Sequence, residues 1–434
     1  MKTVSNTNSV KKSMRLFIKL FLKQNLVKGG NIKILEKKLA KYVGVKNAIL
    51  TSSARYALYL ILKSLKIERG KDEILLPSFM PPIVAIVAVI CGLKPVFVDI
   101  DKKTYNIDPS DIEKKITKNT KILLIVHLYG IPCDMDRIMK IVEEHDLFLI
   151  EDTAQAFGAE YNGKKAGSFG YASIISFGIL KNINTDGGGL ILTDNSKINK
   201  SIRKEIKKLP YPSPLKLLKN LLKTKFLKLN QNKYFYKYVS FSILRSLLFL
   251  RITNIDRLAT VGFSGTKFFK RISKISEKKF IQKYGHQYSN FQAKLGLIQL
   301  ESYGMLLEKQ NRNAEKIKAS QNIFLPSYKS PAYFLCCISL DNRKLFSEYM
   351  FKSGISVGYA HYPVLPDMEI FEKYKCACPN ARNVSNNIVY IPFKAHLGEK
   401  DILKILHLIG NYNKYFTKKS YFSAYGTNIT NLKP

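Results

Sequence analysis

The sequence predicts an α/β protein built on a mostly parallel sheet with helices on both faces, followed by a smaller C-terminal α/β unit. Three observations carry this prediction. Short apolar runs alternate with longer amphipathic ones from about residue 47 onward, the rhythm of strand–helix–strand crossovers. Helix start signals stand where the pattern changes, most clearly Asp108 followed by Pro109. The 434 residues are too many for one core and too few for three, which favours two packed domains.

Along the chain, Lys11–Gln24 sets Lys12, Arg15, Lys19 and Lys23 at three- and four-residue spacing, with Leu16, Phe17, Leu20 and Phe21 elsewhere on the wheel. This predicts a basic amphipathic helix. Strands are expected at Asn47–Leu50, Glu73–Leu76, Pro95–Ile100, Lys121–His127 and Leu147–Glu151. Helices are expected between them at Arg55–Lys66, Pro82–Cys91, Pro109–Ile116 and Met135–His145. Ser173–Phe177 and Gly188–Thr193 extend the sheet. Residues 196–283 break the rhythm: they hold 23 Lys+Arg against 3 Asp+Glu, a net +20. A helix resumes at Asn290–Ile317, and Pro326–Pro331 reads as a linker into a smaller segment ending near Asn411. The expected units are therefore a basic N-terminal segment 1–30, a large sheet domain 31–195, a basic amphipathic insert 196–283, a connecting helix region 284–325, a small C-terminal domain 326–412 and a polar tail 413–434.

Composition narrows the function. With 46% hydrophobic, 12% aromatic and 24% charged residues, the chain is neither disordered nor of low complexity. Its net charge of +39 points to an anionic partner: nucleic acid, an acidic membrane surface or a phosphorylated substrate. Six irregularly spaced cysteines and scattered histidines suit neither a disulfide framework nor a metal site, so no metal is expected. No zinc-finger spacing, aromatic RNA-binding signature or recognition-helix motif supports nucleic acid. The longest uncharged apolar stretch, Pro81–Leu93, falls short of the ~20 residues of a spanning helix. Lys19 and Lys23 interrupt what would be the apolar region of a signal peptide, and a cytoplasmic location is expected.

In an open parallel sheet, ligands bind at the carboxyl ends of the strands. Leu147-Phe-Leu-Ile-Glu-Asp152-Thr-Ala-Gln155 is an apolar run ending in carboxylates. Ser176-Phe-Gly-Ile-Leu-Lys181-Asn and Asp186-Gly-Gly-Gly189 follow it. A lysine just past a buried strand is a candidate Schiff-base residue, because desolvation lowers its pKa and frees the amine as a nucleophile.

These residues, in this order, resemble the DegT/DnrJ/EryC1/StrS family of pyridoxal-phosphate-dependent sugar aminotransferases. The likeness runs from Val27-Lys-Gly-Gly-Asn through Val96-Phe-Val-Asp99-Ile-Asp, Val126-His-Leu-Tyr-Gly130, Glu151-Asp152-Thr-Ala-Gln155-Ala-Phe-Gly-Ala and Gly167-Ser-Phe-Gly. It resumes at Ala293-Lys-Leu-Gly-Leu-Ile-Gln-Leu300 and Val389-Tyr-Ile-Pro-Phe393. The resemblance implies a pyridoxal-phosphate transferase of fold type I, with 31–195 as the cofactor-binding domain, working as a homodimer with the active site at the subunit interface.

The resemblance also implies roles. Lys181 would carry pyridoxal 5'-phosphate covalently and shuttle the proton. Asp152 would pair with the pyridinium nitrogen, and Gln155 would sit by the ring hydroxyl or ring face. Ser176 and the backbone amides at Ala54 and Arg55 would hold the phosphate, a helix N-terminus being a ready anion site. Gln287 would stand where the family's asparagine reaches the partner subunit's phosphate. His127, Tyr129 and His361 are candidate substrate contacts, with structural packing the alternative for each. The sequence departs from the family pattern at Ser53-Ala54-Arg55, where Ser-Gly-Thr is usual, and at Gln287. It departs also at Pro81, where an aromatic usually stacks on the ring, leaving Phe79 and Met80 as weaker candidates.

The implied reaction moves an amino group from an amino acid, with glutamate the expected donor, to a nucleotide-linked keto sugar for envelope polysaccharide or glycolipid synthesis. A pyridoxamine-dependent sugar dehydratase of the same fold is a rival that Lys181 disfavours, since those relatives carry histidine there. A catalytically idle, membrane-associated scaffold is a rival of another class. Lys216, Lys219 and Lys223 against Leu215, Leu218 and Leu222, and Phe241–Phe249 flanked by Arg251, repeat the amphipathic pattern of the N-terminal segment. Two readings stay open: peripheral contact with an anionic inner-membrane surface, or packing of these apolar faces within the protein.

Overall fold

A computed structural model describes residues 7–179, 181–229, 274–321, 329–359 and 362–414. The expected apolar stretch Phe241–Phe249, His361, part of the 326–331 linker and most of the tail lie outside the described residues.

The large sheet has seven strands: β1 (Asn47–Thr51), β2 (Glu73–Pro77), β3 (Lys94–Val98), β4 (Thr120–Val126), β5 (Phe148–Asp152), β8 (Ala172–Ser176) and β9 (Gly189–Thr193). Two short strands, β6 (Glu160–Tyr161) and β7 (Lys164–Lys165), lie between β5 and β8 in the chain. The order across the sheet is β1-β9-β8-β5-β4-β2-β3. β3, β2, β4, β5 and β8 are mutually parallel, and β9 runs antiparallel to both its neighbours.

Period-two alternation decides which helices cover which face. Ile74, Leu76, Ile122, Leu124, Ile150 and Ile174 face a core shared with α3 (Ala54–Ser64), α4 (Pro82–Ile90) and α7 (Ser196–Lys207). Their alternates Leu75, Leu123, Ile125 and Leu149 pack with Ile112 of α5 (Pro109–Lys115) and Ile138 of α6 (Met135–Glu144). Toward β1, Leu50, Ile175, Leu190 and Leu192 meet α2 (Asn31–Val43) and the 30-residue helix Asn290–Ala319. Each fully buried Ile or Leu contributes about 1.5–3 kcal/mol relative to exposure. The expected Asp108 cap forms: its carboxylate accepts from Ser110 N at 2.9 Å.

α1 (Thr7–Leu22) and α8 (Pro214–Leu229) turn apolar residues toward each other and the long helix: Phe17, Leu217, Leu221, Phe291 and Leu295 form one cluster. Outside it, Ile18, Phe21, Leu22, Leu215 and Leu222 remain exposed, Leu22 at 75%. No helix among the described residues is long and apolar enough to cross a membrane. A short helix α9 (Glu277–Tyr284) precedes the long helix, numbered α10.

After a short strand β10 (Lys329–Ser330), the C-terminal unit is an antiparallel sheet of β11 (Cys336–Ser339), β13 (Ile388–Ile391) and β12 (Gly358–Tyr359). It packs on α11 (Arg343–Lys352), α13 (Glu399–Tyr412) and the end of α10, around Ala314, Phe346, Ile402 and Ile405. α12 (Pro379–Asn387) leads directly into β13.

Candidate active site

The carboxyl ends of β4, β5 and β8 lie side by side because these strands are parallel neighbours; Asp152 pairs with Val126 on one side and Ile174 on the other. Adjacent residues on β5 point to opposite faces, which separates Glu151 from Asp152. Glu151 is fully buried. Its Oε2 accepts from Gly167 N at 2.7 Å and its Oε1 from Phe169 N at 2.8 Å and Gly170 N at 2.7 Å. His127 Nδ1 accepts from Cys133 N at 3.0 Å, so the proton sits on Nε2, which donates to Glu151 Oε2 at 3.0 Å. His127 is therefore locked into the floor of the site by its own fold.

On the other face, Asp152 is 4% exposed and its Oδ1 accepts from Ala154 N at 2.9 Å. Burial pushes its carboxyl up, opposed by that hydrogen bond and by the positive charge of Lys181. Lys181, half-buried in the β8–β9 connection, has its Nζ 4.5 Å from the centre of the Phe334 ring. Desolvation pushes its pKa down to about 8, against the pull of Asp152. A small cleft opens here, lined by Ala154, Gln155, Ser176, Lys181 and Asn182 among others.

Gln155 is held at both ends: Oε1 accepts from Tyr129 N at 3.1 Å, and Nε2 donates to Tyr362 Oη at 3.1 Å. Tyr129 takes a positive φ of 57° and stacks on Tyr362 at 6.2 Å between ring centres. Ser176 ends β8, and its Oγ accepts from Gly178 N at 3.4 Å. Its sheet partner is Gly189. A Cβ on Gly189 would stand 2.4 Å from Ala54 N, so the missing side chain is what lets β9 abut the N-terminus of α3. Ser53 caps that helix, its Oγ accepting from Tyr56 N at 3.3 Å, which leaves the first-turn amides of Ala54 and Arg55 outside the cap bond.

The other expected residues lie as follows. The Arg55 guanidinium sits over the Tyr284 ring at 4.9 Å and donates to Tyr284 Oη at 3.3 Å. The Gln287 amide donates to Leu209 O of its own chain at 2.8 Å. Phe79 and Met80 are buried in the main core, and Pro81 caps α4. The structure adds Phe334 and Lys394, which the sequence reading did not single out, and brings in Asn182 and Tyr362, neighbours of the expected Lys181 and His361. The signal for Lys394 was present: it follows the apolar run Val389–Phe393 much as Lys181 follows Ile174–Phe177.

Chemically, an amine of depressed pKa and a serine hydroxyl line one cleft, with the buried Asp152 carboxylate acting on that amine and the first-turn amides of α3 lying beyond Gly189, the sheet partner of Ser176. That set could hold a phosphorylated aromatic aldehyde with a basic ring nitrogen: the amine for the aldehyde, the carboxylate for the ring nitrogen, the amides and hydroxyl for the phosphate.

Known proteins resemble this chain in part of its sequence and in its fold. The GDP-perosamine synthase of Escherichia coli O157:H7 is 41% identical over 172 residues, covering 39% of this chain and 47% of that protein. The dTDP-3-amino-3,6-dideoxy-alpha-D-galactopyranose transaminase of Aneurinibacillus thermoaerophilus is 44% identical over 173 residues, covering 39% and 47%. The chain thus spans about half the length of the curated relatives it matches. In fold, a DegT DnrJ EryC1 StrS aminotransferase from Brucella abortus superposes with a TM-score of 0.72 at 20% identity, covering 95% of this chain and 99% of that one. Residues 9–213 match the profile of the DegT/DnrJ/EryC1/StrS aminotransferase family. β5, β8 and the N-terminus of α3 all lie inside the matched stretch, so the part of the chain that carries the candidate site, residues 9–213, is similar to the DegT/DnrJ/EryC1/StrS aminotransferase family.

Proposed function

We propose that this protein is a pyridoxal-phosphate-dependent aminotransferase that moves an amino group from an amino acid, glutamate in the favoured case, to a keto group on a nucleotide-linked sugar. The observation that carries the reading is the depressed Lys181 amine beside the buried Asp152 carboxylate. Sugar-aminating relatives support the substrate class through their names.

When bound, the cofactor supplies an electron sink for the substrate carbon that loses its proton. The protein does the rest. The Lys181 Nζ, with a pKa near 8, is neutral in a useful fraction at neutral pH, so it can attack an aldehyde carbon and later carry a proton between carbons. Asp152, negative in an apolar setting, keeps a facing ring nitrogen protonated. Ser176 Oγ and the amides of Ala54 and Arg55 anchor a phosphate. Gln155, fixed between Tyr129 and Tyr362, presents a rigid surface to the ring. A homodimer with the site at the subunit interface belongs to the same proposal, as does a role in envelope polysaccharide or glycolipid synthesis.

The test is the visible absorbance of the protein with pyridoxal phosphate, beside Lys181→Ala, before and after glutamate, followed by assay of amino-sugar formation from nucleotide-linked keto sugars. A band formed by the wild type, lost in the variant and shifted to the near ultraviolet by glutamate is the expected result. Absence of any band would leave the idle-scaffold reading in its place.

A second reading, peripheral contact with anionic membrane, is favoured by exposed Ile18, Phe21, Leu22, Leu215 and Leu222 lying among Lys19, Lys23, Lys216, Lys219 and Lys223. Flotation with anionic vesicles tests it; protein that stays in the soluble fraction rejects it.

A further inference from the structure

A second lysine stands beside Lys181, over the same Phe334 ring, with no role in the steps above. Lys394 comes from the C-terminal unit, three residues past the end of β13. Its Nζ lies 5.1 Å from the centre of the Phe334 ring, the ring that the Lys181 ammonium approaches at 4.5 Å. Phe393, its chain neighbour, presents a second ring at 5.1 Å. Among the described residues its hydrogen bond is to Asn182 Oδ1 at 3.3 Å, from the residue that follows Lys181.

The electrostatics of this placement are unbalanced. An ammonium has three donors, and Asn182 satisfies one of them. Among the described residues no carboxylate forms an ion pair with Lys394, and the charge that acts on it is the like charge of Lys181; burial and this repulsion push its pKa down to about 7. A cation held in an aromatic frame, with donors to spare and no counter-ion, is half of an anion site.

The chemistry of the reaction selects the anion. An amino donor must bring its nitrogen to the place where Lys181 Nζ stands. In an α-amino acid the carboxylate is borne by the same carbon as that nitrogen, so it must come to rest close to Lys181. The diphosphate of a nucleotide-linked sugar is separated from a ring keto carbon by several bonds. The cofactor phosphate has its own anchor at Ser176 and α3.

We propose that Lys394 receives the α-carboxylate of the amino donor, with Asn182 orienting the ammonium and Phe334 spacing it from Lys181. The inference rests on the aminotransferase reading of the site. It makes Lys394 a specificity residue for one half-reaction: the donor carries a carboxylate at the reacting carbon and the keto sugar does not. It also ties donor recognition to docking of the C-terminal unit on the large domain, since the two lysines come from different units.

The experiment uses the protein loaded with pyridoxal phosphate, in wild-type, Lys394→Met and Lys394→Arg forms, with thermal melts to show that all three are folded. Absorbance titrations with L-glutamate and with propylamine, which lacks a carboxylate, are run in parallel, and calorimetric binding of glutarate gives a readout independent of turnover. For Lys394→Met the apparent Kd for glutamate should rise about 10- to 100-fold and glutarate binding should weaken alongside it. The propylamine response should stay within about three-fold, and Lys394→Arg should recover most of the glutamate affinity. Unchanged glutamate and glutarate affinity in Lys394→Met, or equal loss for glutamate and propylamine, would overturn the assignment while leaving the aminotransferase reading intact. A wild type whose absorbance responds to neither amine would remove the underlying reading, and this inference with it.

Discussion

His127 Nε2 and Glu151 Oε2 meet at 3.0 Å with both side chains fully buried, directly behind the strand end that carries Asp152. The pair is closed from every side: Cys133 N fixes the imidazole, and three amides from the 167–170 turn fill the carboxylate. Glu151 therefore pins one face of β5 while its neighbour Asp152 serves the other. Four hydrogen bonds to one carboxylate make this floor stiff.

Replacing Glu151 by Gln puts an amide NH2 group against N–H donors that now face an acceptor. The expected cost is about 3 kcal/mol, read as a lower denaturant midpoint with unchanged slope. A midpoint equal to wild type would mean that the turn does not depend on the carboxylate.

Asp152→Asn should split stability from activity. Burial holds this carboxyl above its ordinary value, so ionising it at neutral pH works against folding, and a neutral isostere should melt no lower than wild type. Turnover should fall about 10²–10³-fold, while the Lys181 absorbance band with pyridoxal phosphate persists.

The reactivity of Lys181 should titrate near pH 8, more than two units below an ordinary lysine. Below that pH the ammonium has no lone pair, so reductive trapping of a small aldehyde at Lys181, followed by peptide mass spectrometry, should rise through pH 8 and then level. In Asp152→Asn the midpoint should move lower, because the carboxylate is what holds it up. A midpoint near 10 in the wild type would contradict the desolvated setting.

Gly189→Ala tests the junction between β9 and α3. The added carbon would stand 2.4 Å from Ala54 N and from Ser53 C, both backbone atoms that cannot swing aside. A loss of about 1–3 kcal/mol is expected in thermal or chemical melts, with weaker pyridoxal-phosphate affinity. Gly30→Ala, where nothing lies within 4 Å, should be close to neutral.

The strands of the large sheet and the candidacy of Lys181 were legible from residues alone, whereas the role expected of Asp152 came from the family resemblance. The first two rest on local periodicity or on a motif within one stretch of chain. The run Leu147–Glu151 became β5 at Phe148–Asp152, a shift of one residue at each end, and the Asp108 cap formed where proline followed it. What the tertiary structure alone decided is which distant side chains close the site. Gln155 is gripped by Tyr129 and Tyr362, Phe334 and Lys394 arrive from beyond residue 330, and the apolar faces of α1 and α8 find each other across about 200 residues of chain. The physical reason is that periodicity reports which face of an element is apolar, whereas convergence depends on strand order and on how the C-terminal unit docks. The depressed amine of Lys181 belongs to the second kind, because desolvation is a property of the neighbours that fold over a residue rather than of the residue itself.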